Sequence, residues 1–116
     1  MNMLDTKKKS GTPWSFTIEF DEEKAKRNGY DVETLYEYVG KNIEQIGNVR
    51  ISRDTWKADD HAKDKVIAQC AAQARLSKMK WFMQNIKSWI VYESDPSIPY
   101  DHLQTIREIS PQLICN

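Results

Sequence analysis

The segment 14–20 reads Trp-Ser-Phe-Thr-Ile-Glu-Phe, with a large apolar side chain at every second position. Successive side chains of a β-strand point to opposite faces of a sheet, so this alternation predicts a strand with one buried face. It is the strongest constraint on the fold, because such a strand needs a sheet around it and other elements covering its apolar face.

A helical periodicity follows the Asn28-Gly29 pair, which is typical of a turn. Asp31 stands at the position of an N-cap, and Gly47-Asn48 is typical of a helix end. Between them, apolar residues recur at three- and four-residue spacing: Val32, Leu35, Tyr36, Val39, Ile43 and Ile46. The pattern predicts a helix over residues 31–46.

The middle of the chain combines a short strand pattern with a second helical pattern. Residues 49–53 predict a short edge strand, and Asp59-Asp60 precede the second helix. One stripe of that helix is apolar and is expected to face the core: Ala62, Val66, Ile67, Cys70, Ala71 and Ala74. On this interpretation Cys70 is a buried small hydrophobic residue.

Residues 79–93 fit two interpretations. In the preferred one, the helix ends near Lys78 and a Gln84-Asn85 hairpin joins two strands; in the other, the helix runs to about residue 85 and one strand follows. Two prolines within 95–99 predict a loop. Asp101 then predicts the start of a last helix that ends at Ser110-Pro111, with Leu103 and Ile106 facing inward.

These elements predict one α+β domain over residues 14–110. We expect a small sheet of three to four strands with about three helices packed mainly on one face, in the order β-α-β-α-β(-β)-α. A chain of 116 residues suits a single core and leaves little room for a second domain. Residues 1–13 are interpreted as a flexible leader and residues 111–116 as a C-terminal tail.

The sequence indicates a cytoplasmic location. The N-terminal apolar stretch is far too short for a secretory signal, and no run approaches the ~20 apolar residues of a membrane helix, so no membrane association is expected. Cys70 and Cys115 are 45 positions apart and imply no disulfide framework.

Sequence motifs give no support for catalysis or cofactor binding. The four glycines are never closer than seven positions, which excludes a P-loop or a dinucleotide-binding fingerprint. The acidic cluster around His61, with Asp59, Asp60 and Asp64, is better explained by helix capping than by metal ligation. We therefore expect no catalytic residue, cofactor or metal; an enzyme site near His61, Asp64 and Cys70 is the least favoured hypothesis.

The net charge of zero conceals a division along the chain. Residues 19–49 contain eight acidic and four basic residues, whereas residues 50–87 contain nine basic and four acidic ones. The basic part is interleaved with aromatic residues, a composition suited to a nucleic acid or an acidic partner. The candidate surface residues are Arg75, Lys78, Lys80, Trp81 and Lys87. An ordinary core strand with solvated lysines explains the same composition.

Three stretches of the chain together resemble a known family. They are Phe16-Thr-Ile-Glu-Phe-Asp21, Tyr30-Asp-Val-Glu-Thr-Leu-Tyr36, and Trp81-Phe82 with Trp89 ahead of the Asp101-led helix. Over residues 14–109 the chain resembles the transposon-encoded proteins carried by conjugative elements of gut Firmicutes. The resemblance implies a bacterial cytosolic accessory protein of a mobile element and identifies neither a reaction nor functional residues.

Two functional hypotheses follow. The first is a non-catalytic cytosolic accessory protein, associated with a mobile genetic element, that binds another protein. The second is a nucleic-acid-binding accessory protein that uses the basic and aromatic segment 75–89.

Overall fold

A computed structural model describes residues 12–114, which form five strands and five α-helices. The strands are β1 (Ser15–Phe20), β2 (Asn48–Ser52), β3 (Thr55–Ala58), β4 (Ile86–Tyr92) and β5 (Tyr100–Asp101). The α-helices are α1 (Glu22–Arg27), α2 (Val32–Ile43), α3 (Lys65–Ser77), α4 (Lys80–Asn85) and α5 (His102–Ile109). One-turn 3₁₀ helices, Glu44–Ile46 and Pro111–Leu113, follow α2 and α5.

The five strands form one antiparallel sheet in the order β2-β3-β1-β4-β5. The alternating strand β1 lies at the centre, where Phe16 pairs with Trp56 of β3 and Ile18 pairs with Trp89 of β4. Directly paired residues point to the same side of a sheet, so these large side chains share one face. The prediction of a strand with one buried face is confirmed.

All five α-helices pack on that face. Their core side chains join those of the strands in a single cluster, with Ala25, Leu35, Val39, Leu76, Phe82, Met83, Leu103 and Ile106 among its members. On the opposite face of β1, Thr17 is half-buried and Glu19 is exposed. The α+β class and the one-sided placement of the helices therefore agree with the sequence prediction.

Aspartates begin four of the five α-helices. The carboxylates of Asp21, Asp31, Asp64 and Asp101 each accept a hydrogen bond from the backbone N–H three residues later, at 3.0 to 3.3 Å. Each bond satisfies a donor that the helix itself leaves free, and each negative charge complements the helix dipole. The caps expected at Asp31 and Asp101 are confirmed.

Both the number of strands and the number of helices exceed the prediction. The edge strand expected at 49–53 is β2, but Thr55–Ala58 forms a separate strand, and β2 and β3 make a hairpin. The charged stretch 21–27 contains α1, of which Ala25 is the one buried residue. A four-residue strand and a six-residue helix are too short to establish a hydrophobic period, which is why the sequence did not reveal them.

The preferred interpretation of residues 79–93 is wrong, because no hairpin forms at Gln84-Asn85. Residues 80–85 are helix α4, and β4 is the single strand that follows. Asn85 ends α4 by donating from Nδ2 to the Trp81 carbonyl at 2.7 Å, while its Oδ1 accepts from Asn28 Nδ2 at 2.8 Å. The expected helix end near Lys78 is correct, since Met79 is extended between α3 and α4.

The last helix agrees with its prediction, with Leu103 and Ile106 buried. Of the expected tail 111–116, Pro111–Leu113 forms a 3₁₀ helix, and Leu113 and Ile114 pack against the core. Except for Thr12 and Pro13, the leader expected at 1–13 lies outside the described residues.

The orientation expected for the second helix, α3, is wrong. Val66, Ile67, Cys70 and Ala74, which were expected to face the core, are exposed. The buried residues of α3 are Ala68, Gln69, Ala72, Gln73, Leu76 and Ser77. Cys70 is therefore an exposed thiol and not a core residue.

Candidate functional site

Helix α3 presents an apolar surface to solvent. We define the outer face of α3 as Val66, Ile67, Cys70, Ala71 and Ala74, which recur at helical spacing and carry no polar or charged group other than the thiol. Val66 is 47% exposed and Ile67 is 65% exposed. Isolated apolar residues are common on protein surfaces, but a continuous stripe on one helix is typical of a binding surface.

On the other side of α3, the side chain of Gln69 bonds to the sheet. Gln69 is 1% exposed, and its Nε2 donates to the carbonyl of Ser15 in β1 at 3.1 Å and to that of Tyr92 in β4 at 2.9 Å. The two bonds compensate for burying the amide. Ala68, Ala72 and Leu76 add a second apolar stripe beside Gln69, so α3 packs inward without using its larger exposed hydrophobic residues.

The two ends of the outer face differ in charge, with side chains of both signs before the helix and basic side chains at its end. Lys63 is exposed before the helix, and Arg75 and Lys78 are exposed at its end. The carboxylate of Asp64 is engaged in capping, with Oδ1 3.1 Å from the backbone nitrogen of Ile67. The sequence contains no acidic residue from 66 to 92, so Arg75 and Lys78 have no acidic neighbour along the chain, whereas Lys63 stands between Asp60 and Asp64.

Glu93, which follows β4, is an exposed acidic residue close to Tyr100. Burial, and next the negative charge of Glu93, raise the pKa of the Tyr100 hydroxyl. A hydrogen bond with the side chain of Gln73 opposes this increase.

Four of the five candidate surface residues lie around the junction of α3 and α4. Arg75 donates from Nη1 to the Asn42 carbonyl of α2 at 3.1 Å. The ring of Trp81 meets that of Tyr38, one turn earlier on α2, edge to face at a centroid distance of 5.6 Å. Lys78 and Lys80 are exposed on either side of the break between the two helices.

Lys87 belongs to a different surface. Its Nζ is 3.8 Å from Glu19 Oε2, across the β1–β4 pair. With Asp21, Lys24 and Arg107 it lines a shallow cavity of about 210 Å³. The structure therefore brings Arg75, Lys78, Lys80 and Trp81 together and places Lys87 among charged groups of mixed sign.

The two tryptophans of the basic segment differ in accessibility. Trp81 is half-buried, whereas Trp89 is fully buried and its ring meets His102 edge to face at 4.6 Å. Neither Trp89 Nε1 nor His102 Nδ1 has a hydrogen-bond partner among the described residues. Burial lowers the pKa of His102, and the nearby charge of Asp101 opposes that effect. Trp89 is thus a core residue and is unavailable to a ligand.

The acidic cluster at 59–64 is engaged in local contacts. Asp59 accepts from the backbone of His61 at 2.9 Å, and Asp60 Oδ1 is 2.8 Å from Lys57 Nζ and 3.6 Å from Lys65 Nζ. These lysines lower the pKa of Asp60. Within residues 12–114, no group of three or more His, Cys, Asp or Glu side chains is arranged to hold a metal ion. Asp64 is a helix cap, and Cys70 lies six residues, or about 1.7 turns, further along the helix.

The sequence identified the apolar stripe that forms the outer face of α3, but predicted that this stripe faces the core. The signal for the alternative was present, because Ala68, Ala72 and Leu76 also recur at four-residue spacing. If hydrophobicity alone is used to choose which stripe is buried, the stripe that contains Val66 and Ile67 is preferred. In the structure the buried side is the one from which Gln69 reaches the strand carbonyls and on which Ala68, Ala72 and Leu76 are buried.

Comparisons with known proteins identify no related protein. No family model matches the chain, and no curated protein or solved structure matches it significantly. In the part of the chain that the structure describes, no helix has the length and apolar character needed to cross a membrane.

Proposed function

We propose that this chain is a non-catalytic accessory protein of the bacterial cytosol that binds another protein in the service of a mobile genetic element. The observation that supports protein binding is the outer face of α3, where two large apolar side chains are held in solvent. The link to a mobile element rests on the family resemblance of residues 14–109.

The energetics favour a docking role for this surface. Exposed apolar area costs roughly 25 cal/mol per Å² relative to its burial, so covering Val66 and Ile67 would stabilise a complex. The helix is held from its other side by Gln69 and the small core residues, and it can therefore accept a partner without being rebuilt.

Site-specific photo-crosslinking in the bacterial host tests this proposal. A photoreactive phenylalanine analogue at position 67 is expected to form a discrete crosslinked product with another protein. The same analogue at Ile109, 74% exposed on α5, is the matched control and is expected to give none. Equal products from both positions, or none from position 67, would contradict protein binding through α3.

A second candidate function is nucleic-acid binding by the junction of α3 and α4. It is favoured by the aromatic pair Tyr38–Trp81 beside Arg75, Lys78 and Lys80. Aromatic rings stack on bases, and basic side chains neutralise phosphates. It ranks second because Trp81 is already in edge-to-face contact with Tyr38 and Phe82, which leaves less of its ring for stacking.

Binding to a fluorescent single-stranded DNA, measured by anisotropy at about 50 mM salt, tests the second candidate. Affinity is expected to fall steeply as salt rises and to weaken in Lys80→Ala. Lys87→Ala is the control for a site confined to the junction, because Lys87 lies beside Glu19. Failure to bind under these low-salt conditions would eliminate the candidate.

A further inference from the structure

We infer that the cavity between α1, α4, β4 and α5 binds a small carboxylate with an apolar body. This site is separate from the outer face of α3 and does not depend on it. We call it the α1–α5 cavity. The apolar part of its lining is Met83, Ile86, Leu103 and Ile114, and three basic side chains and one carboxylate complete the lining.

The apolar lining provides a surface for the body of the ligand. Met83, Ile86 and Leu103 are buried members of the core cluster, and Ile114 packs against that cluster, so the core holds these side chains in place. The cavity of about 210 Å³ is smaller than the roughly 300–1,000 Å³ of sites for drug-sized ligands. It has room for roughly seven water volumes, and hence for a ligand of about ten non-hydrogen atoms.

The three bases of the cavity come from three separate elements. Lys24 lies on α1, Lys87 on β4 and Arg107 on α5. Arg107 donates from Nη1 to Oε1 of Gln104, one turn earlier on α5, at 3.4 Å. The guanidinium carries further N–H donors, and its planar fork matches the two oxygens of a carboxylate. An apolar cavity with a few convergent polar groups is typical of a small-molecule site.

The carboxylates near the cavity are concentrated at Lys87. Asp21 lines the cavity, and its Oδ1 accepts from the backbone nitrogen of Lys24 at 3.0 Å. Glu19 Oε2 is 3.8 Å from Lys87 Nζ. With Glu22 and Glu23, Glu19 lines a neighbouring cavity of about 480 Å³, which shares Asp21 and Lys87 with the α1–α5 cavity. Lys87 is therefore largely balanced by acidic groups.

Lys24 and Arg107 line the α1–α5 cavity and do not line its acidic neighbour. Within residues 12–114, neither base forms an ion pair. The nearest acidic residue to Arg107 along α5 is Glu108, which does not line the cavity and whose Oε2 accepts from Gln104 Nε2 at 3.1 Å. We therefore place the ligand's carboxylate at Lys24 and Arg107.

The same lining disfavours a cationic ligand. The carboxylate of Asp21 is the one acidic group among the described lining residues, and it is engaged as the cap of α1. Hydrogen bonds from the backbone, first that of Lys24, and the charges of Lys24 and Lys87 lower its pKa. An ammonium group in the cavity would meet three bases and one carboxylate, so it would be repelled.

Nuclear magnetic resonance titration of the nitrogen-15-labelled full-length protein tests the inference. The probes are phenylpropionate, phenylpropanol and phenylpropylamine, which share one apolar body, and acetate, which lacks it. We expect phenylpropionate to bind at least about fivefold more tightly than phenylpropanol, and phenylpropylamine to bind more weakly than either. Acetate should bind at least about tenfold more weakly than phenylpropionate. The backbone amides of Met83, Lys87 and Leu103 should shift on binding.

Matched variants locate the binding. Arg107→Gln is expected to weaken phenylpropionate about fivefold and Lys24→Gln about threefold, whereas Lys41→Gln, which removes an exposed base of α2, has no effect. Ile114→Asp is expected to weaken it more than about fivefold, and Ile109→Asp, at an exposed position of α5, to leave it unchanged. Circular dichroism of each variant checks that the fold is retained.

Several outcomes would overturn the inference. Equal affinities for phenylpropionate and phenylpropylamine, or an unchanged affinity in both Arg107→Gln and Lys24→Gln, would mean that these bases do not select a carboxylate. Acetate binding as tightly as phenylpropionate would exclude a role for the apolar lining. Absence of saturable shifts with phenylpropionate up to about 20 mM would exclude the site, since a ligand of this size in a formed cavity reaches millimolar affinity.

Discussion

His102 is a half-buried titratable side chain packed against the indole of Trp89. Its pKa is lowered because burial disfavours the charged imidazolium more than Asp101 favours it. A histidine with a depressed folded-state pKa binds protons more weakly than the unfolded chain does. Its contribution to stability is therefore complete above the unfolded value of about 6.5 and is lost as the pH falls below it.

Urea unfolding between pH 7.5 and pH 5.5 should detect this effect. We expect the free energy of unfolding to decrease over that range, and the decrease to be smaller in His102→Leu, which has no imidazole to protonate. His61→Leu, a change of the exposed histidine before α3, should keep the full decrease. The same pH dependence in wild type and His102→Leu would show that His102 does not cause it.

Two glycines with positive φ offer a second test at the scale of single residues. Gly47 (φ 97°) ends the 3₁₀ turn after α2, and Gly29 (φ 85°) follows α1. An added Cβ at position 47 would lie 3.3 Å from Ala68 Cβ, whereas at position 29 it would meet open space. Any residue with a Cβ is strained at this φ, and Gly47→Ala adds crowding against α3.

We expect Gly29→Ala to reduce the free energy of unfolding by about 1 kcal/mol and Gly47→Ala by more, roughly 2 kcal/mol. Chemical denaturation of the two variants, compared with wild type, measures both. If Gly29→Ala were the more destabilising of the two, crowding against Ala68 would not be the deciding effect.

At the scale of elements, α3 reverses the usual rule that polar residues face outward. Gln69 on its inner side binds two strand carbonyls, while Ile67 on its outer side contacts solvent. A buried acceptor that loses its donor costs more free energy than a single exposed hydrophobic side chain contributes. Replacing the exposed apolar residue of α3 by a polar one should therefore have little effect on stability, whereas replacing the buried polar residue by an apolar one should be destabilising.

Ile67→Gln should change the free energy of unfolding by less than about 0.5 kcal/mol, as is typical of exposed positions. Gln69→Leu should reduce it by roughly 1–3 kcal/mol, since the Ser15 and Tyr92 carbonyls lose their donor. Thermal and urea unfolding of the two variants provide the comparison. A destabilising Ile67→Gln with a neutral Gln69→Leu would mean that α3 packs in the orientation expected from sequence.

At the scale of the whole molecule, one aromatic network connects the sheet to the helices. Phe82 of α4 meets Phe20 of β1 and Trp89 of β4 edge to face, with centroids 5.6 and 4.9 Å apart. Phe16 meets the same Trp89 at 6.1 Å, and Tyr36 of α2 meets Phe20 at 4.9 Å. These contacts bind the two layers into one core, so the protein should unfold as a unit.

We expect far-ultraviolet circular dichroism and tryptophan fluorescence to report the same urea midpoint. Phe82→Ala should lower that midpoint strongly, because it costs about 3–5 kcal/mol, while Phe82→Leu should cost less and keep the two signals coincident. Separate midpoints for the two signals in wild type would mean that the sheet and the helices are not one cooperative unit.

The sequence alone determined the elements whose signals are local. Alternation identified β1, three- and four-residue spacing with Asp31 identified α2, and the two prolines of 95–99 identified the loop before α5. It also indicated a single α+β domain with its helices on one side. It missed α1 and β3, which are too short to show a period.

The tertiary structure decided which face of α3 is buried and which of the basic residues lie together. Both faces of α3 carry apolar residues, so the local pattern allowed either orientation. The choice depends on the carbonyls of Ser15 and Tyr92, which lie 54 and 23 positions from Gln69 along the chain. The buried side of α3 combines Ala68, Ala72 and Leu76 with an amide that needs those distant acceptors, a requirement that no local sequence pattern expresses.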